Sequence, residues 1–260
     1  MRFRRVLALA SVTLAGALLS VAAIAQTAAP AKPASVAQAK ATVPAAAAAV
    51  AAAAVPPAAP LKPGDATAGQ AKAAVCGACH GLDGNSSDPQ YPKLAGQQAS
   101  YIVRQLELFK SGQRQNPIMF GMATPLSPQD MADIAAYFAK QKTLPGIADQ
   151  TLVSAGGKLY REGDKTAGIP ACMACHGPDG RGNPGALYPH LAGQHAQYVQ
   201  QVLTAWHSGQ PWGKGPHAAI MLTIAGRLST ADIAAVASYI QGLHTAVPEA
   251  ANASATAAAQ

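Results

Sequence analysis

Cys76-Gly77-Ala78-Cys79-His80 and Cys172-Met173-Ala174-Cys175-His176 decide how this chain is read. The two stretches lie 96 residues apart and together use all 4 cysteines. Cys-x-x-Cys-His is the attachment pattern of a c-type haem, in which two thiols add to the haem vinyl groups and the adjoining histidine becomes the proximal iron ligand. Two copies predict two covalently bound haem c groups, attached through Cys76, Cys79, Cys172 and Cys175, with His80 and His176 on the irons.

Other uses of paired cysteines fit less well. A structural zinc needs pairs about 15 to 20 residues apart, and it gives no reason for a histidine after each. A thioredoxin-like pair needs a βαβ setting, and no alternating Val, Ile or Thr run flanks either motif. A disulfide closed within Cys-x-x-Cys spans too short a loop to staple a fold.

Working outward, the first 25 residues read as a signal peptide. Arg2, Arg4 and Arg5 precede the apolar run from Val6 to Ile24, and Ala23-Ile24-Ala25 offers a small-x-small cleavage site. The run is also long enough for an uncleaved anchor, since about 20 apolar residues span a bilayer. The expected compartment is the periplasm, with the chain soluble or tethered to the inner membrane. Residues 26–64 are rich in Ala and Pro and nearly free of large apolar side chains, which predicts a disordered tether. Residues 248–260 read as a similar tail. The remainder divides into two domains, 65–147 and 148–247, each of a size that suits one haem.

The formal charge of +7 says little about these domains. Residues 65–147 carry seven Lys and Arg against six Asp and Glu, and residues 149–248 carry six against five. No basic stripe marks the folded part, which excludes nucleic acid as a partner.

The duplication extends beyond the cysteines. Tyr91-Pro92-Lys93-Leu94-Ala95-Gly96-Gln97 recurs as Tyr188-Pro189-His190-Leu191-Ala192-Gly193-Gln194, and Ser111-Gly112-Gln113 as Ser208-Gly209-Gln210. Further on, Ile118-Met119, Leu126-Ser127, Asp130 and Tyr137 match Ile220-Met221, Leu228-Ser229, Asp232 and Tyr239. The second copy has gained residues between Gln210 and Ile220. Within each copy the periodicity is helical. Helices are expected near Ala68–Val75 and Ala155–Glu162, the second followed by a longer loop through Pro170. Ile102, Leu106 and Phe109, and Val199, Val202, Leu203 and Trp206, mark middle helices that Gly112 and Gly209 terminate. Ser127, Pro128 and Asp130 open a last helix with Met131, Ile134, Ala135 and Phe138 on one face. Ser229, Asp232, Ile233, Val236 and Ile240 repeat that scheme. Large apolar side chains are few, and a buried porphyrin in each domain supplies the missing core.

The second axial ligand separates a carrier from a catalyst. A thioether is a soft, neutral ligand that favours ferrous iron and fills the sixth position. Met119 and Met221 are the methionines in equivalent places, whereas Met122 aligns with Ile224, Met131 with Ile233, and Met173 lies inside a haem motif. Copy two also holds His190, His195, His207 and His217 between His176 and Met221. His190 and His195 replace Lys93 and Gln98 and read as surface variants. His217, four residues before Met221, remains open as a competing ligand.

These features together, namely CxxCH-G-x-D-G (Gly81, Asp83, Gly84; Gly177, Asp179, Gly180), the YPxLAGQ and SGQ segments and the methionine before each LS-x-x-D helix, resemble the dihaem cytochromes c4. The resemblance covers roughly residues 65 to 245. It implies an all-α fold of two tandem class I cytochrome c domains related by pseudo-twofold symmetry, with His80/Met119 and His176/Met221 ligating iron. With it goes the reading of an electron carrier that takes electrons from a donor such as a quinol-oxidising complex and passes them towards a terminal oxidase; an uncleaved N-terminus or a docking partner leaves membrane association open. The prolines Pro89 or Pro92, and Pro184 or Pro189, lie where this family supplies a carbonyl to the proximal histidine. Tyr91, Tyr188, Gln97 and Gln194 are open between propionate contacts and loop packing. The departures are the Ala/Pro tether and the insertion Pro211 to Ala219. Two other function classes stand beside the carrier: the cytochrome subunit of a periplasmic dehydrogenase, which shares every local motif, and a dihaem peroxidase-like enzyme with one open iron, against which the repeat-matched Met119 and Met221 argue.

Overall fold

The computed structural model describes residues 62–214 and 216–244. The expected signal peptide, the tether up to residue 61 and the tail from residue 248 lie outside the described residues. Asp65 starts the first copy: its carboxylate accepts from the backbone N–H groups of Thr67 and Ala68, capping α1 (Ala66–Lys72). A 3-10 turn (Ala73–Val75) tightens the chain into the single-turn α2 (Gly77–His80). The copy continues with α3 (Ala99–Lys110), α4 (Pro117–Ala123) and α5 (Pro128–Lys140). The second copy repeats the order in α6 (Val153–Glu162), α7 (Met173–His176), α8 (Ala196–His207), α9 (Pro216–Ala225) and α10 (Thr230–Gly242). Among the described residues, β pairing is limited to the isolated bridges Asp164–Ile169 and Asn183–Tyr188. The first of these closes the loop that precedes Pro170.

The last helix of each copy begins as its sequence requires. Ser127 and Asp130 form a reciprocal capping box, each side chain accepting from the other residue's backbone N–H, and Ser229 and Asp232 do the same. Gly112 and Gly209, at φ of 70° and 79°, end α3 and α8.

In each copy the first and last helices cross at close range, α1 on α5 and α6 on α10. Glycine makes this approach feasible: a β-carbon at Gly69 would collide with the carbonyl of Asp133, and one at Gly156 with that of Ala235. Copy one strengthens the crossing with a buried carboxylate. Asp133 Oδ1 accepts from Asp65 N–H (2.9 Å) and Gln129 Nε2 (2.9 Å), and Lys72 Nζ donates to Oδ2 (2.6 Å). In copy two, Ala235 takes the place of Asp133, and the Ser238 hydroxyl accepts from Asp149 N–H at 2.9 Å.

Two apolar cores result, one per copy. Ala73, Ile102, Leu106, Phe109, Met131, Ile134 and Phe138 build the first. Leu159, Tyr160, Ile169, Leu203, Ile233, Val236 and Ile240 build the second.

The residues gained by copy two are spent on copy one. Trp212 stacks edge-on against Trp206 (centroids 4.7 Å apart) and receives the Arg114 guanidinium on its face at 3.3 Å. Arg114 is buried, donates to Gln105 Oε1 (2.8 Å) and Tyr198 Oη (3.0 Å), and also lies over Phe109. Gly213 N–H adds a bond to Gln113 C=O at 3.3 Å.

Candidate functional site

Each haem motif forms one helical turn, and the turn sets the chemistry. His80 N–H donates to Cys76 C=O (3.0 Å), and His176 N–H to Cys172 C=O (2.9 Å). That i to i+4 closure puts both thiols and the imidazole of each motif on one side of the turn. Gly81 (φ 79°) and Gly177 (φ 80°) then reverse the chain in the left-handed region, where a β-carbon is strained.

The two imidazoles are buried, each 7 % exposed. His80 Nδ1 lies 2.8 Å from the Pro92 carbonyl, and His176 Nδ1 lies 3.0 Å from the Pro189 carbonyl. A carbonyl only accepts, so Nδ1 carries the proton and Nε2 keeps a free lone pair. Burial lowers both histidines below the ordinary imidazole value. The product is a neutral imidazole, fixed in rotation, with Nε2 ready to bind iron. Pro92 and Pro189 are therefore the acceptors, and Pro89 and Pro184 are not. Tyr91 and Tyr188 flank the imidazoles, with ring centroids 6.2 and 6.0 Å away.

The cysteines suit thioether formation better than thiolate chemistry. All four are unpaired. Burial pushes the Cys76 thiol up and holds the Cys172 thiol at about 11, so neither is an activated thiolate. Among the described residues no three His, Cys, Asp or Glu side chains gather together. Free thiols one turn apart beside a preset Nε2 fit covalent haem at both motifs.

Met119 lies on α4 and Met221 on α9, two helices absent from the sequence-based expectation. Asn116 caps α4 by accepting from Met119 N–H at 3.0 Å, with Pro117 following at the first position. Met119 and Cys76 border the same apolar core, and Met221 and Cys172 border the other. His217 is exposed at the start of α9, one turn before the partly buried Met221.

His195 is not a surface variant, and His190 is half-buried with its backbone at the boundary between the copies. His190 N–H donates to Gln97 Oε1 (3.0 Å), while Gln97 Nε2 donates to His190 C=O (2.9 Å). The opposite side is its counterpart: Lys93 N–H donates to Gln194 Oε1 (2.8 Å) and Gln194 Nε2 to Lys93 C=O (3.0 Å). His195 Nε2 reaches Ser86 C=O at 2.8 Å, and Gln98 Nε2 reaches Tyr188 C=O at 2.8 Å. Each of these bonds joins one copy to the other. Gln97 and Gln194 thus spend their side chains on the boundary between copies. The signal was present in the repeat, which marks the positions as equivalent but does not reveal that equivalent positions pair across it.

Two helical copies, each with a Cys-x-x-Cys-His turn and a preset imidazole, define a tandem class I cytochrome c. Comparison with known proteins bears this out. A family model for cytochrome c matches residues 66–142 and again 153–244. Cytochrome c4 of Pseudomonas aeruginosa is 55 % identical over 181 residues, covering 70 % of this chain and 90 % of that protein. The crystal structure of reduced recombinant cytochrome c4 from Pseudomonas stutzeri superposes with a TM-score of 0.66 at 49 % identity, covering 70 % of this chain and all of the other. A thiosulfate dehydrogenase electron acceptor of Thiomonas intermedia is 37 % identical over 182 residues, covering 68 % of this chain and 82 % of that protein. The chain belongs to the cytochrome c4 family: a dihaem electron carrier with two covalently bound haem c groups.

Proposed function

We propose that this cytochrome moves single electrons in the periplasm, from a quinol-oxidising complex towards a terminal oxidase, and performs no bond chemistry of its own. In this reading Cys76, Cys79, Cys172 and Cys175 attach the haems, His80 and Met119 take the axial positions in domain 1, and His176 and Met221 take those in domain 2. When bound, each haem supplies a one-electron ferric/ferrous couple. The protein's part is to hold Nε2 neutral and oriented, to exclude water with the two cores, and to fill the sixth position so that no substrate reaches iron. The observation that carries the reading is the matched placement of both methionines, each bordering the core that its own motif's first cysteine borders. The exposure of His217 supports Met221 over bis-histidine ligation.

A second reading has its own support. The similarity to a thiosulfate dehydrogenase electron acceptor favours a periplasmic dehydrogenase as an electron donor in place of a quinol-oxidising complex. Mixing reduced candidate donors with the oxidised protein in stopped flow separates the two, since only the true donor reduces it rapidly at physiological salt.

Optical titration tests the ligands. The oxidised protein should show the methionine-to-iron charge-transfer band with two haems' amplitude, and Met119→Ala and Met221→Ala should each remove half. A band unchanged by Met221→Ala refutes that assignment, and carbon monoxide binding to the unsubstituted reduced protein refutes the carrier reading.

A further inference from the structure

We propose that Gln97 and Gln194 are crossed positioning residues, each setting, from its own domain, the electron donation of the proximal histidine in the other domain. The inference rests on His80 and His176 being iron ligands and adds a control over them.

The geometry is a continuous chain of hydrogen bonds through one peptide group. The carbonyl of Pro92 and the N–H of Lys93 belong to the same planar unit. The carbonyl accepts from His80 Nδ1 at 2.8 Å, and the N–H donates to Gln194 Oε1 at 2.8 Å. The carbonyl of Pro189 and the N–H of His190 form the counterpart unit, accepting from His176 Nδ1 at 3.0 Å and donating to Gln97 Oε1 at 3.0 Å. Hydrogen bonds in series polarise one another. An acceptor on the N–H makes the carbonyl a stronger acceptor, which draws the Nδ1 proton and makes Nε2 a better donor to iron. Better donation stabilises ferric over ferrous iron and lowers the potential.

Both glutamines are built for this role. They are 7 % and 8 % exposed, and each donates its amide N–H to the carbonyl of the residue whose N–H its Oε1 accepts. Each Oε1 also accepts from the next N–H in its own chain, Gln98 at 3.0 Å and His195 at 3.1 Å, which fixes its orientation. Because the bonds cross, the glutamine of domain 2 acts on the histidine of domain 1, and the reverse holds. A residue that only glued the domains together would have no such crossed signature.

The test uses the full dihaem protein and follows each haem separately by its hyperfine-shifted NMR signals during redox titration. The two sets are assigned by proximity to Tyr91 or Tyr188. Gln194→Met removes the acceptor at near-constant volume and should raise the domain 1 potential, changing its oxidised-to-reduced ratio severalfold at fixed ambient potential while domain 2 moves less. Gln97→Met should do the reverse. Gln194→Glu and Gln97→Glu retain the acceptor oxygen and should not raise the opposite haem. Amide exchange on the same samples should show Lys93 N–H deprotected by Gln194→Met and His190 N–H by Gln97→Met. Trp212→Ala, which loosens the domain boundary away from both prolines, should leave the two potentials in place.

A larger shift in the substituted residue's own domain, equal shifts in both, no shift, or the same shift from Trp212→Ala overturns the proposal. Should a methionine variant fail to fold, the glutamate variants decide, since a rise in the opposite haem with the acceptor kept also overturns it. Failure of the underlying ligation would show differently, as the absence of hyperfine-shifted histidine and methionine signals in the unsubstituted protein.

Discussion

Asp133→Ala should weaken domain 1 by about 2 to 3 kcal/mol, a figure that follows from what the carboxylate holds. Its side chain is 5 % exposed and accepts from Asp65 N–H, Gln129 Nε2 and Lys72 Nζ. Lys72 keeps a partner in Asp130 at 2.7 Å, and the Gln129 amide regains water. Most of the loss falls on the Asp65 N–H, which is left without its charged acceptor at the start of α1, where such a bond is worth about 1.5 to 3 kcal/mol. With a urea dependence of about 2 kcal/mol per molar, the midpoint should fall by about 1 M, read by circular dichroism of the helical band. Asp133→Asn keeps an oxygen for Asp65 N–H and should cost less. The pH dependence has a definite sign. The Lys72 ammonium, with Asp65 N–H and Gln129, holds Asp133 at about 2, below the ordinary 3.8, and Lys72 with Ser127 holds Asp130 at about 2. A depressed folded-state value stabilises above the unfolded value and is lost as pH falls through about 2. The gap between native protein and Asp133→Ala should therefore narrow between about pH 4 and pH 2. A gap that stays constant over that range, or a cost below about 0.5 kcal/mol at neutral pH, refutes this account of the helix crossing.

Two further substitutions probe the cores. Phe138 is fully buried on the inner face of α5, so Phe138→Ala should cost about 3 to 5 kcal/mol in the same urea titration, and a loss below about 1 kcal/mol would mean the core does not depend on it. Tyr160, also fully buried, donates its hydroxyl to the Gly177 carbonyl at 2.7 Å, so Tyr160→Phe should cost about 1 to 2 kcal/mol and speed amide exchange through α7, whereas unchanged exchange would break the link to the haem turn.

What the chain discloses about itself depends on how local the signal is. The capping boxes at Ser127 and Ser229, the glycine stops at Gly112 and Gly209, and the motif turns are written within three or four residues and are legible by inspection. The short helix α4 is announced less clearly. Asn116-Pro117 is a proper start, but it opens a segment of seven residues, too short for periodicity to show. The pairing of Gln97 with His190 was hidden for a different reason. It joins residues 93 positions apart in separate copies, and the repeat presents those positions as equivalents of Gln194 and Lys93. His195 is hidden on the same ground, since replacement of Gln98 by histidine carries no local mark of the contact it makes with Ser86 of the other copy. The insertion in copy two lies beside Met221 in sequence, yet Trp212 within it meets Arg114 of copy one.

The reciprocal glutamine clamp has the geometry of a homodimer contact, with each half offering the other the same residue. In a true homodimer the two halves are obliged to be identical, and dilution separates them. Covalent linkage replaces that equilibrium by an effective concentration in the millimolar range. It also permits the positions facing the clamp to diverge, Lys93 on one side and His190 on the other. A single chain can thus keep a symmetric handshake while presenting a different side chain at each of its two ends.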